Sequence, residues 1–214
     1  MASSYSTDLK LELMVTGENS GTWGDKTNDN LNLIQQAIAG YEAIDVSSGA
    51  TLAMTNATLS NARNAVLKLT GTITGNVDVT CPDSIEKTYV VQNGTSGAHT
   101  VTFKTVSGTG ATFSATDKGI KVLFSDGTNV VDVLANASQI NLVNQNEVRF
   151  EDASGGEYVG LKAPATVSSS YTLGLPTADS ANSGYGLTTD GAGQLSFTDV
   201  ASTGKAIAMA LVFG

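Results

Sequence analysis

The apolar positions of this chain change period along its length. Leu9, Leu11 and Leu13 alternate with Asp8, Lys10 and Glu12, which predicts a short half-buried strand within residues 5–16. A turn-rich loop at residues 16–24 carries Trp23, the one tryptophan. Leu31, Ile34 and Ile38 then fall at helical spacing, with Asn32, Gln35 and Gln36 on other faces. That spacing predicts a helix over roughly 25–39, with Asp25 or Thr22 as its N-cap and Gly40 as its stop.

From Tyr41 the period returns to two. Ala65, Leu67 and Leu69 form one alternating set, and Val77 and Val79 lead into Pro82, which ends a strand. Further strands are predicted at 88–92 and 99–104. The apolar set Ile120, Val122 and Phe124 and the run 130–134 flank an Asp126-Gly127 hairpin turn. Short strands at this spacing predict an antiparallel, sandwich-like domain over 42–135. Residues 135–146 are uncharged and read as a connector. Beyond them, runs at 148–150 and 158–161 flank a turn at 152–156, residues 171–175 read as a short strand, and runs at 186–189 and 194–197 flank a turn at 190–193. Isolated hairpins of this size bury too little apolar surface to hold themselves, so they call for neighbouring copies. The last segment, 206–214, is uncharged and mostly apolar. It is far short of the ~20 residues that cross a bilayer, so it calls for a cover.

Composition narrows the function classes. Charged residues are only 14% while 41% are apolar, a balance that excludes a disordered chain. The net charge is −9, with seven acids against two lysines in 1–45, six of each sign in 46–137, and seven acids against three bases in 138–214. No basic cluster exists to neutralise phosphates, so neither nucleic acid nor an anionic membrane is an expected partner, and no membrane insertion is expected. The N-terminus lacks the basic and apolar regions of a signal peptide, which predicts accumulation in a cytoplasm. One cysteine, Cys81, and one histidine, His99, provide no set of metal ligands and no catalytic triad. Asp126, Asn129, Asp152 and Asp190 sit in loops where turn chemistry accounts for them. The expectation is a non-enzyme without cofactor or metal.

Several runs resemble virion structural and tail-fibre proteins of tailed bacteriophages, particularly those of marine bacteria and cyanobacteria. They are TGENSGTWGD at 16–25 followed by NLNLIQQAIAGY at 30–41, then SNARNAVLKLTG at 60–71 and YVVQNGTSG at 89–97. YVGLKAP at 158–164, LGLP at 173–176 and LTTDGAG at 187–193 look like repeated fibre hairpins, and GKAIAMALVFG at 204–214 is similar to endings in the same group. The resemblance implies a non-enzymatic homotrimer, assembled in the host cytoplasm and attached to the particle through its N-terminal part. The long shaft and large tip of a receptor-binding fibre are not among these 214 residues. The resemblance therefore leaves a short fibre, an adaptor or a head decoration open.

The combined expectation is a mainly β, trimeric chain. Residues 1–41 attach to the particle, 42–135 form the sandwich-like domain, 136–200 a fibre-like hairpin module, and 201–214 a covered hydrophobic strand. Partners are further copies, tail or head proteins, and a host-surface glycan or protein. Trp23 either covers the helix within its own subunit or anchors in a neighbour's pocket, and the Leu31, Ile34 and Ile38 stripe has the same two readings. Ile207, Met209, Leu211, Val212 and Phe213 are expected at an assembly contact. Tyr158, Tyr171 and Tyr185 are the candidates for host-surface contact. The alternatives are a capsid decoration or head-fibre protein, and a carbohydrate-binding module.

Overall fold

The computed structural model of the protein describes residues 3–180, 182–199 and 211. Among them the chain is mainly β with one long helix, and it divides into two units, Met1–Ile140 and Asn141–Gly214.

The first unit opens with β1 (Ser4–Tyr5) paired antiparallel to β2 (Glu12–Leu13). The single alternating strand expected over 5–16 is corrected here. Lys10 has a positive φ of 54°, which breaks the alternation. Glu12 is 8% exposed whereas Leu13 is 50% exposed. The inversion has a cause in the following helix, α1 (Trp23–Ala39). The Asn30 side-chain amide pairs with the Glu12 backbone, accepting from its N–H at 2.9 Å and donating to its carbonyl at 2.8 Å. The Glu12 carboxylate accepts from Ser3 Oγ at 2.8 Å and lies 3.4 Å from Lys26 Nζ. A buried charge is tolerated because it is paired and hydrogen-bonded.

Helix α1 covers the predicted span. Thr22 occupies the N-cap position without a side-chain hydrogen bond. Gly40 stops the helix in extended backbone, φ −68°, rather than in the left-handed conformation of a glycine cap. Its small size answers a close approach: a Cβ there would run into Gln36 O and Asn64 Oδ1.

The chain then passes through β3 (Tyr41–Asp45), β4 (Ala50–Thr51), a 3-10 turn (Asn61–Arg63), β5 (Val66–Thr70), β6 (Val77–Cys81), β7 (Glu86–Asn93) and β8 (Val101–Thr105). It alternates between two sheets at each step. β3, β5 and β7 run parallel in one sheet; β4, β6 and β8 run parallel in the other. Val66 lies beside Val90 and Val77 beside Val101, so one circuit places each residue next to its counterpart a turn later. Thr72 and Ser96, 24 residues apart, are hydroxyl-bonded at 2.8 Å. Asn76 Oδ1 accepts from Thr100 N and Asp83 Oδ1 from Ser107 N, each across the same 24 residues. The antiparallel expectation for this region is therefore corrected to a parallel winding. Antiparallel pairing appears only where the winding closes, through β9 (Gly110–Phe113) on β8, β10 (Ile120–Asp126) on β7, and β11 (Val130–Asp132) on β10. The resulting orders are β11-β10-β7-β5-β3 and β4-β6-β8-β9. At Gly97, φ is +96° and the chain passes over the Ile73 carbonyl, where a side chain would collide.

The inward positions of both sheets meet in one core. Leu67, Leu69, Tyr89, Val91 and Leu123 come from the five-stranded sheet, and Val79, Cys81, Val101, Phe103 and Phe113 from the four-stranded one. The Tyr89 and Phe103 rings meet at 5.2 Å between centroids with a 58° tilt, a favourable edge-on arrangement. On β10, Leu123 and Ser125 face inward while Ile120 and Phe124 are exposed. The predicted Asp126-Gly127 turn is present: Asp126 Oδ1 accepts from Thr128 N and Asn129 N, and Gly127 has φ +85°.

The second unit holds two antiparallel hairpins, β12 (Val148–Glu151) with β13 (Tyr158–Leu161), and β14 (Tyr185–Thr189) with β15 (Leu195–Asp199). Their turns are closed by aspartates. Asp152 Oδ1 accepts from Ser154 N at 3.0 Å and Gly155 N at 2.7 Å; Asp190 Oδ1 accepts from Ala192 N at 2.7 Å and Gln194 N at 3.1 Å. The strand expected at 171–175 reduces to one parallel bridge, Gly174 to Gln194, ahead of Pro176. No apolar residue among those described in this unit is buried.

Candidate assembly surfaces

Arg63 fixes how the helix sits on the winding. It is fully buried, and no carboxylate pairs with it among the described residues. Its guanidinium donates to Leu9 O at 3.0 Å, Thr55 O at 2.7 Å, Ser60 Oγ at 3.0 Å, Gln36 Oε1 at 3.3 Å, and Thr58 O. One side chain thus joins the N-terminal hairpin, α1 and the 55–60 loop. Burial lowers its pKa from the ordinary arginine value. Sequence reasoning passed over Arg63, although a lone charge in the neutral run TNATLSNARNA at 55–65 is a usable signal.

The helix packs inward through Leu33, at 2% exposure, rather than through the Leu31, Ile34 and Ile38 stripe. Trp23, Leu31 and Ile38 are 63%, 57% and 74% exposed, and Ile34 is half-buried. With Thr27 they occupy one uncharged face, since residues three and four apart are neighbours on a helix. Trp23, at the start of the helix, leaves most of its surface exposed. Tyr41 and Leu59 are also exposed in this unit.

In the second unit, the register sorts each hairpin into two unlike faces. Val148 stands opposite Leu161 and Phe150 opposite Val159, so all four share a face. Arg149 and Tyr158 lie on the reverse, where Arg149 stacks 4.1 Å above the Tyr158 ring and bonds Glu147 at 2.7 Å. On the second hairpin, Tyr185, Leu187, Leu195 and Phe197 share one face; Thr188, Ser196 and Thr198 share the other, with Thr188 and Thr198 hydroxyls 3.1 Å apart. Here the chain provides a partial cover, because residues 176–180 approach Tyr185, Leu195 and Phe197 around a hollow of about 510 Å³.

The three candidate tyrosines lie apart in their surroundings. Tyr158 has one ring face occupied by Arg149, Tyr171 lines a hollow with Val167 and Leu173, and Tyr185 lines the hollow beside Phe197. Of the terminal candidates, Leu211 is 81% exposed; Ile207, Met209, Val212 and Phe213 lie outside the described residues.

Burial raises the Cys81 thiol to about 11, so it is a packed, unreactive group at neutral pH. A polar hollow of about 680 Å³ lies over the outer face of β4, β6 and β8 and is lined by Thr51, Asn76, Asp78, Thr80 and Thr102. Among the described residues no three His, Cys, Asp or Glu side chains converge as a metal site, and no helix is long and apolar enough to cross a membrane.

Among the described residues the chain is thus mainly β, with a cored winding and two hairpins, of which the second is partly covered. No protein-family model, no curated protein and no solved structure matches it.

Proposed function

We propose that this chain is a structural component of a tailed-phage virion, a short tail fibre or tail-associated fibre protein that assembles as a homotrimer and aids host attachment. One observation carries the assembly half of this reading. The hairpins at 148–161 and 185–199 hold regular ladders, yet no apolar residue described in their unit is buried. Two-stranded ribbons are marginal alone and gain stability when a further layer covers an apolar face. Symmetric association of identical chains is the commonest way to supply that layer. The virion half rests on the resemblance of the runs at 16–41, 60–71, 89–97, 158–193 and 204–214. In this reading the exposed Trp23, Leu31 and Ile38 face docks on the particle or on neighbouring subunits. A trimer presents three copies of each weak host contact, which raises avidity through effective concentration.

Native mass spectrometry of the purified chain, followed by antibody labelling of the particle, tests both halves. A mass of three chains and a few labelled positions at the tail are expected. A stable monomer removes the assembly reading. Labelling of the whole head surface in many copies replaces the fibre with a capsid decoration protein. Deleting 206–214 is expected to abolish the trimer, and a trimer that survives that deletion takes the tail out of the interface.

A further inference from the structure

We infer that the outer face of β4, β6 and β8 binds neutral glycan chains through hydrogen bonds; the inference goes beyond the assembly reading and does not depend on it. The parallel ladders set its side chains in rows. Thr51 stands beside Thr80 and Thr80 beside Lys104; two residues back along the strands, Asp78 stands beside Thr102. Asn76 and Thr100 extend the face past the starts of β6 and β8, where Thr100 N donates to Asn76 Oδ1 at 3.1 Å. The hollow of about 680 Å³ over these strands is lined by Thr51, Asn76, Asp78, Thr80, Thr100 and Thr102, with Gly49 and without an aromatic ring.

Three observations select the ligand class. The first is Asp78. Threonine is a favoured strand residue, so the threonines have a local reason to be there; aspartate is depleted in strands, yet Asp78 lies inside β6. Its side chain is 60% exposed, and among the described residues its carboxylate meets one cation, Lys104 Nζ, at 4.0 Å, beyond hydrogen-bond distance. Its oxygens are left to accept from a ligand. The second is the mixture of donors and acceptors. Asn76 Oδ1 is taken by Thr100 N, which leaves the amide N–H groups to donate, and Thr80 Oγ1 donates to Thr51 Oγ1 at 3.3 Å, which leaves the Thr51 proton to donate. A sugar hydroxyl both donates and accepts, so it matches such a set. A phosphate brings acceptors alone and meets the Asp78 carboxylate, and an apolar ligand strands every one of these groups. The third is the contrast with the other outer face of the same winding. There the row across the five-stranded sheet is Tyr41, Val66, Val90 and Val122. The hydrogen-bonding groups are gathered on one side only, on strands whose inward residues Val79, Val101 and Phe103 are fully buried. The core holds them in place before a ligand arrives, which lowers the ordering cost of binding.

Affinity electrophoresis of the full-length chain through gels holding a neutral glucan, mannan, galactan or xylan tests the inference. At least one polymer is expected to retard the chain, and its tetrasaccharide is expected to release the chain at a lower concentration than its monosaccharide, because the groups span three strands. Asp78→Ala, at an exposed position, is expected to weaken retardation by about tenfold or more, the effect of losing a hydrogen bond to a charged group, while the melting temperature stays unchanged. Thr51→Val keeps the β-branched shape and is expected to weaken it less, and Thr88→Val, on the outer face of the other sheet, not at all. No retardation by any of these polymers, or retardation that Asp78→Ala leaves intact, overturns the inference. Stronger retardation by heparin, a polyanion, than by every neutral polymer overturns the ligand class. A monomer that still binds a glycan removes the assembly reading and leaves this site standing.

Discussion

The winding at 41–133 and the hairpins at 141–199 are both mainly β, but they bury side chains in opposite ways. In the winding, every inward position of β5 and β7 from Leu67 to Val91 that carries a large apolar group is sealed against the facing sheet. In the hairpins, alternation is equally regular, yet Phe150, Val159 and Leu187 remain more than half exposed. The difference lies in pairing range. The winding brings together residues 24 apart through parallel ladders, so two sheets can close on each other. The hairpins pair across a turn of a few residues, with one added bridge from Gly174 to Gln194 on the second, so neither gains a facing sheet among the described residues. Alternation specifies a two-faced strand; topology decides whether the chain itself can cover the apolar face.

The largest test of this contrast replaces one phenylalanine in each region. Phe103→Ala should destabilise the first unit by about 3–5 kcal/mol, because it leaves a cavity between the sheets. Phe150→Ala should leave that unit's denaturant midpoint unchanged within about 0.5 kcal/mol and weaken only assembly. Equal effects on the first unit would abolish the distinction. Next, Arg63→Met should cost about 2 kcal/mol, since the part-buried Leu9, Thr55 and Thr58 carbonyls lose their donor. Hydrogen exchange should rise first in residues 4–13, and unaltered protection there would remove the clasp from the account.

A pH series sharpens the energetics of the winding. Burial lowers Lys87 to about 8, while its ammonium lies 4.6 Å above the Tyr89 ring. The folded state therefore binds this proton less well than the unfolded chain. The penalty is fully present below pH 8 and fades as pH rises toward the ordinary lysine value near 10.4. Lys87→Met should stabilise by roughly 2 kcal/mol at pH 7, with the gain shrinking by pH 10. A gain independent of pH would assign the effect to packing instead. The smallest effect belongs to Tyr89→Phe, as the buried Tyr89 hydroxyl has no hydrogen-bond partner among the described residues. Removing it should raise stability by about 1 kcal/mol, and a loss of that size would mean that a bound water satisfies the hydroxyl.

What the sequence made legible was local. The helix and the turns at Asp126 and Asp152 were readable because spacing and an aspartate two or three residues from its backbone donors are written in adjacent positions. The parallel ladders were not, because period-two alternation is identical for both pairing directions and two divergent circuits make a faint repeat. The Leu31, Ile34 and Ile38 stripe was correctly placed on one face, but a stripe does not say what lies against it, and the packed residue is Leu33. Glu12 defeated polarity altogether, because Asn30 and Ser3 meet its needs from 18 and 9 residues away.

The Arg63 clasp also imposes an order in time. Leu9 waits for a donor 54 residues downstream, and Asp8 for Glu86 N, 78 residues downstream. At ~5–20 residues per second, the N-terminal arm leaves the ribosome several seconds before either partner follows it out. During that interval Trp23, Leu31 and Ile38 are offered to whatever the nascent chain meets. The 4–13 hairpin is thus made well before the partners that lock it, and neighbouring ribosomes on one message hold the nearest identical chains.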